Sequence, residues 1–292
     1  FFTKKRFTNI KMKIAQINPG CGIPIPPPSW GAVEKIVWDL TLNLRKLGHT
    51  VDIKWANEVQ PGEYDLVMVH VANLAIELAN RGIPYIFQHH DHHAYHYGKN
   101  SEVYKENLEA IERSVISLVP ARYLVKYFNT DKVIYFSHGV DIETFSPNET
   151  PPIAHITIVG PKNNQNWFDV NPWIGGYPKL SILENPSNDI LRQVYTSHTI
   201  FLHPSELEAG HPNLTLLEAA ACGLPIVGTL EMETTFHGLR RAPRDLNEIL
   251  QGLDTIIKEY HQYRTRAIKT SQELSWFNRS KELITVYERY FN

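Results

Sequence analysis

Residues 12–56 read MKIAQIN, then a proline-rich PGCGIPIPPPSW, then GAVEKIVWDLTLNLRKLG, then HTVDIKWA. The first piece is a short, almost continuous apolar run, as expected of a strand buried on both faces. The third places Val33, Ile36, Val37, Leu40, Leu44 and Leu47 at helical spacing and stops at Gly48, a residue suited to ending a helix. The fourth is a second strand. A strand, a crossover helix and another strand predict a parallel sheet flanked by helices.

The pattern continues outward from this unit. YDLVMVHVA, IPYIFQ, SVISLVP and KVIYFS read as further strands, with helices between several of them, up to about Phe145. Ser146-Pro147-Asn148 and Pro151-Pro152 then form a linker. A second alternating set follows: AHITIVG, KLSILEN, TIFLHPS and LPIVGT as strands, helices at 189–197, 213–222 and 245–259, and a terminal amphipathic helix WFNRSKELITVYERYF. The expected division is an extension at 1–11 before Met12, a first domain at 12–147, a shortened second domain at 148–272, and a last helix at 273–292 returning to the first. Two doubly wound domains bind ligands in the crevice outside the carboxyl ends of their strands. That architecture does not by itself name a reaction.

Bulk composition narrows the class. The 292 residues are 42% hydrophobic and 21% charged, as in globular proteins. The 29 Lys and Arg nearly balance the 31 Asp and Glu, which argues against an extended basic face for nucleic acid. Cys21 and Cys222 match no metal or redox spacing and read as free thiols of a reducing compartment. No apolar run reaches the length of about 18–20 residues that crosses a bilayer. The resulting expectation is a cytoplasmic protein with at most peripheral membrane association.

Chemistry concentrates in SELEAGHPNLTLLEAAACGLPIVGT, residues 205–229. Pro212 and Asn213 precede a good helix that stops at Gly223. A helix N-terminus offers unpaired amides and the positive end of its dipole, which suits a diphosphate. Glu218, inside the helix, can accept hydrogen bonds from paired ribose hydroxyls, and Glu208 in the preceding loop can reach a sugar hydroxyl. From spacing alone, an acidic surface loop capping an ordinary helix fits equally well.

Four stretches, in order, resemble family 4 of the retaining GT-B-fold glycosyltransferases: WGAVEKIVWDLTLNLRKLGHTVDI, SLVPARYLVKYF with KVIYFSHGVDIETFSP, the stretch at 205–229, and ELSWFNRSKELITVYERY. The resemblance implies an α/β fold of GT-B architecture, two Rossmann-like domains whose parallel sheets face each other across a cleft. It implies transfer of a hexose-type sugar from a UDP- or GDP-sugar to a hydroxyl of a glycan, lipid or small molecule. No cofactor and no metal are implied beyond the nucleoside-diphosphate sugar itself, and a homodimer is compatible with it.

Carried over residue by residue, Glu218 would hold the ribose and Glu208 the transferred sugar. The amides around Asn213, Leu214 and Thr215 would face the sugar or phosphates, with His211 adding a contact from the loop. Lys162 would clamp the diphosphate, whose leaving charge needs a cation. Gly31 would let backbone approach the phosphates. Glu184 and Asn185 stand where base or ribose contacts are expected, and His90 and Asp91 match a family segment beside the sugar. The catalytic set is therefore Glu208, Lys162, His90 and Asp91.

The chain also departs from that pattern. Nine residues separate Glu208 from Glu218, two more than the family usually has. The family's second cation, an Arg, is missing near Lys162. Ala32 stands at the second glycine of the family's pair, and His138 where the family most often has Asn. The histidines His89, His90, His92, His93 and His96 also admit a metal reading if they fall at i and i+4 on a helix. Rivals to the transferase are a transferase acting on modified DNA bases, a nucleotide-sugar binder with impaired catalysis, and, least supported, a dehydrogenase, since no G-x-G-x-x-G turn follows either first strand.

Overall fold

The structure is a computed structural model that describes residues 11–28, 31–90, 93–148, 156–159, 180–183, 186–203, 213–228, 239–241 and 246–291. Among them the first lobe holds β1 (Lys13–Ile17), α1 (Ala32–Lys46), β2 (Thr50–Lys54), β3 (Leu66–Val69), α2 (Ala72–Asn80), β4 (Ile86–Gln88), α3 (His93–His96), α4 (Glu102–Arg113), β5 (Ile116–Val119), α5 (Arg122–Phe128) and β6 (Val133–Tyr135). The second holds β7 (Ile156–Val159), β8 (Leu180–Leu183), α6 (Asn188–Ser197), β9 (Ile200–His203), α7 (Leu214–Ala221), β10 (Ile226–Gly228), β11 (Leu239–Arg241), α8 (Leu246–Lys258) and α9 (Tyr260–Glu273). The chain closes with α10 (Trp276–Phe291).

Each lobe has one parallel sheet, ordered β2-β1-β3-β4-β5-β6 and β11-β10-β9-β7-β8. Strand order reverses between β1 and β3 in the first and between β7 and β9 in the second. These reversals open the crevices where such folds bind ligands.

Period-two alternation splits the first sheet's apolar residues between two covered faces. Ile14, Met68, Ile86 and Leu118 pack with Ile36, Leu40 and Leu44 of α1 and with Trp276 and Leu283 of α10. Ala15, Ile17, Val67, Val69, Phe87 and Val119 face the other way, onto α2, α4 and α5. The second lobe has its own core of Leu191, Tyr195, Phe201, Leu216, Leu217, Ile226 and Ala267, joined by Val140 and Phe145 from the segment that leaves the first sheet.

The C-terminal helix is fixed by close packing. Gly139 lies so near α10 that an added Cβ would sit 2.5 Å from Trp276 Cδ2 and 3.0 Å from Arg279 Cγ. Val140 bridges Ser275 in parallel, and Trp276 N donates to the Val140 carbonyl at 3.1 Å. The buried Arg279 guanidinium lies 4.7 Å from the Phe136 ring centre and donates to Ser137 Oγ at 3.0 Å. α10 thus ties the end of the first sheet to the start of the second lobe.

Differences from the sequence reading are local. The strand expected over 83–88 is hydrogen-bonded as a strand only at Ile86–Gln88. Helix α9 and strand β11 carry too little apolar periodicity to be expected: α9 buries only Ala267, Thr270 and Ser271. Cys21 is exposed and Cys222 buried, both as free thiols.

Candidate active site

Helix α7 begins where an Asn stops the preceding chain and supplies its own cap. Asn213 Oδ1 accepts from Leu216 N at 3.0 Å and from Thr215 Oγ1 at 2.8 Å, while Asn213 Nδ2 donates to His203 Nε2 at 3.2 Å. The third amide of the helix is thereby satisfied. The amides of Leu214 and Thr215, which no helical carbonyl can reach, remain as the donors at this end. Leu214 packs against the first lobe's core, the cluster that holds Phe136 and Trp276, so this helix end sits at the junction of the lobes. Replacing Asn213 with Ala should cost about 1 kcal/mol and lower the calorimetric midpoint by about 2–4 °C. Asn213→Asp, which keeps an acceptor, should restore most of that loss.

Further along α7, the Glu218 side chain is 4% exposed. Burial pushes its carboxyl up to about 8; Lys35 opposes that shift, and Asp39 and Asp141 add to it. Asp39 is likewise raised by burial, to about 6. Burial works against the charge of Lys35, but Asp39, Glu218 and Asp141 outweigh it and raise the ammonium's pKa. Lys35 Nζ lies 3.2 Å from Asp39 Oδ2 and 5.7 Å from the centre of the Phe145 ring. One partly buried cation is therefore shared among three carboxyl groups from both lobes.

Gly31, the residue before α1, has φ 139°, where a side chain is strained. Its missing Cβ would meet Ile23 Cγ2 at 3.0 Å, Pro27 Cβ at 3.1 Å and Glu34 Oε2 at 3.2 Å. Packing under the proline-rich loop therefore requires glycine here whether or not a phosphate approaches. Glu34 is itself buried at 2% exposure in the first turn of α1.

At the carboxyl ends of β1, β3, β4 and β6 a line of side chains runs across the sheet. Gln16 Oε1 lies 2.7 Å from His70 Nε2, His70 Nδ1 lies 2.8 Å from His90 Nε2, and His90 Nδ1 lies 3.3 Å from His138 Nε2. Burial drives His70 down to about 3, so this imidazole is neutral. His89 turns the other way, edge-on to Phe87 and Phe128. His93 and His96 lie on α3; among the described residues no three His, Cys, Asp or Glu side chains converge as a metal site.

Of the residues singled out from sequence, the structure thus places Gly31, His90, Asn213, Leu214, Thr215 and Glu218. Asp91, Lys162, Glu184, Asn185, Glu208 and His211 lie outside the described residues.

Residues 127–259 match the family described as "Glycosyl transferases group 1". This stretch is a group 1 glycosyltransferase domain. Solved structures share the fold over nearly the whole chain. Sucrose-phosphate synthase from Thermosynechococcus elongatus is 14% identical with a TM-score of 0.69, covering 96% of this chain and 99% of that one. AviGT4, a glycosyltransferase involved in avilamycin A biosynthesis, is 15% identical with a TM-score of 0.67, covering 96% and 98%. HepE of Anabaena, solved with UDP-glucose, is 13% identical with a TM-score of 0.62, covering 95% and 100%. At these identities the likeness concerns the fold, the two-lobed GT-B architecture. A sequence comparison with curated proteins found no match.

The glycosyltransferase domain contains α7 and Glu218, and the groups that meet Glu218 from outside it escaped the sequence reading. Lys35 and Asp39 are four apart on α1, on a stripe otherwise holding Ile36, Val37 and Leu40. Charges at core spacing were the available signal. Gln16, an amide inside the apolar run KIAQI, was another.

Proposed function

We propose that the chain is a retaining hexosyltransferase that takes a UDP- or GDP-activated sugar and transfers it to a hydroxyl of a glycan, lipid or small molecule. The observation that supports this best is that Leu214, at α7's amino end, packs on the first lobe's core while Glu218 of the same helix interacts with Lys35 of that lobe, an arrangement suited to a donor bound where two domains meet. HepE, of the same fold, was solved with UDP-glucose and with UDP, which favours a uridine donor among the candidates.

In this reading the diphosphate lies at the amides of Leu214 and Thr215, where the helix dipole favours negative charge. Glu218 receives the ribose hydroxyls. Glu208 and His211 orient the sugar, Lys162 takes the growing charge of the leaving group, and Glu184 and Asn185 contact the base or ribose. The bond from the sugar's anomeric carbon to the diphosphate breaks while the acceptor oxygen bonds to the same face. The acceptor's proton passes to the departing phosphate oxygen. His90 and Asp91 hold the transferred sugar and acceptor from the first lobe. The amides, the dipole and Lys162 supply the positive charge, so the step asks for no metal. Among the described residues no helix is long and apolar enough to cross a membrane; a cytoplasmic site of action is part of the proposal.

The test is turnover with a panel of UDP-, GDP- and ADP-sugars and simple glycoside acceptors, followed by NMR of the product's anomeric centre. The expected result is release of nucleoside diphosphate and a product with the donor's configuration. An inverted product would refute the retaining mechanism. Donor binding without turnover under any condition would leave a binder rather than a transferase.

A further inference from the structure

The line of groups from Gln16 to His138 has a direction that the chemistry of its members fixes. Gln16 is fully buried, and its Nε2 lies 3.4 Å from Met68 Sδ. A thioether has no proton to give, so the amide nitrogen faces the sulfur and the amide oxygen faces His70. That oxygen only accepts, so His70 Nε2, 2.7 Å away, carries a hydrogen. His70 is 5% exposed and neutral, with a single ring proton, so its Nδ1 is a bare lone pair. His90 Nε2 stands 2.8 Å from that lone pair, and the ring centres are 5.1 Å apart, a separation that fits two rings joined nitrogen to nitrogen at their edges. Two lone pairs at that distance would repel, so His90 Nε2 carries the hydrogen and donates it.

We propose that Gln16 and His70 are positioning residues that hold the hydrogen of His90 on Nε2, so that whenever the ring carries a single proton its Nδ1 is the hydrogen-bond acceptor on the side of His138. The proposal rests on the reading of His90 as the group beside the transferred sugar. It adds to that reading which nitrogen works and what sets it. Which ring nitrogen of a histidine is protonated follows from the bond the other one makes. Here β1 and the end of β3, the two strands flanking the crevice of the first sheet, supply that bond. At 3.3 Å the link from His90 Nδ1 to His138 is the longest in the line, and so the one a sugar hydroxyl can most readily replace. An acceptor nitrogen there selects a ligand that donates, which a hydroxyl does and a phosphate oxygen does not.

The test uses the whole protein with 15N-labelled histidine at neutral pH. His70 and His90 should both appear as Nε2–H tautomers, with a scalar coupling through the hydrogen bond from His90 Nε2 to His70 Nδ1. A His90 protonated at Nδ1 alone, or a positively charged His70, would overturn the proposal, and neither result depends on any enzyme activity. The second arm is kinetic. His70→Asn, which leaves an oxygen acceptor near the Nδ1 position, should keep kcat within about 3-fold, whereas His70→Leu should lower kcat by about 10-fold or more with the donor's KM nearly unchanged. A folded His70→Asn as poor as His70→Leu would contradict the acceptor role. If His70→Leu fails to fold, the wild-type spectrum still decides. Absence of transfer with every donor would refute the proposed function and leave the tautomer result standing.

Discussion

Glu218→Gln should make the ligand-free protein more stable at neutral pH while removing most of its affinity for a nucleotide sugar. The carboxyl is buried with an ionisation point raised from 4.5 to about 8. A carboxyl whose folded-state pKa lies above its unfolded one binds more protons folded than unfolded. Stability is therefore highest below about pH 4.5, falls as pH rises toward 8, and levels off above it. Each unit corresponds to about 1.4 kcal/mol; with the shared Lys35 the loss at pH 8 should come to about 2–4 kcal/mol. Gln has no charge to desolvate, so the variant should unfold about 5–10 °C higher at pH 8 than the wild type and show no excess slope between pH 5 and 8. Donor hydroxyls that donate to Glu218 draw it into its ionised form, and hydrogen bonds to a charged acceptor contribute about 1.5–3 kcal/mol, so donor affinity should fall about 10–100-fold. Thermal denaturation across pH and a donor titration check the two halves separately. A variant that is less stable at pH 8 would show Glu218 to be a structural ion-pair partner of Lys35 instead.

Gly139→Ala should be the most damaging small substitution in the first lobe. The added methyl would lie 2.5 and 2.6 Å from ring carbons of Trp276, which is 1% exposed, and 3.0 Å from the Arg279 stem. Neither neighbour is free to retreat. The indole fills a core also built from Leu40, Phe136 and Leu283, and the guanidinium is held by Ser137 and Phe136. Overpacking of this kind costs about 1–3 kcal/mol, so a fall in Tm of about 4–10 °C is expected. Trp276→Phe, which removes ring volume, should recover part of that fall when combined with Gly139→Ala although it destabilises the wild type. Simple additivity of the two losses would place the strain elsewhere.

The sequence made most of the sheets legible because parallel strands are buried on both faces, and runs such as LVMV and ISLV admit few other readings. It hid α9, whose YHQYRTRAIKTSQE packs only three residues inward, and β11, whose LRR has no apolar run. Around the candidate site, the helix that carries Asn213 and Glu218 was readable because helix caps and stops are local signals. The partners of Glu218 were not, because Lys35 and Asp39 lie 183 and 179 positions away in the chain and only the folded lobes bring them together. His70 escaped for a related reason. At the end of YDLVMVH it looks like a strand terminus, and its link to Gln16 spans 54 residues.

The most direct test of the account is calorimetric titration of the wild-type protein with UDP-glucose, GDP-mannose and ADP-glucose, each with and without Glu218→Gln. The account predicts saturable one-to-one binding of at least one of these donors, weakened about 10–100-fold by the substitution. Binding of no donor at millimolar concentration, or donor binding that Glu218→Gln leaves unchanged, would contradict it.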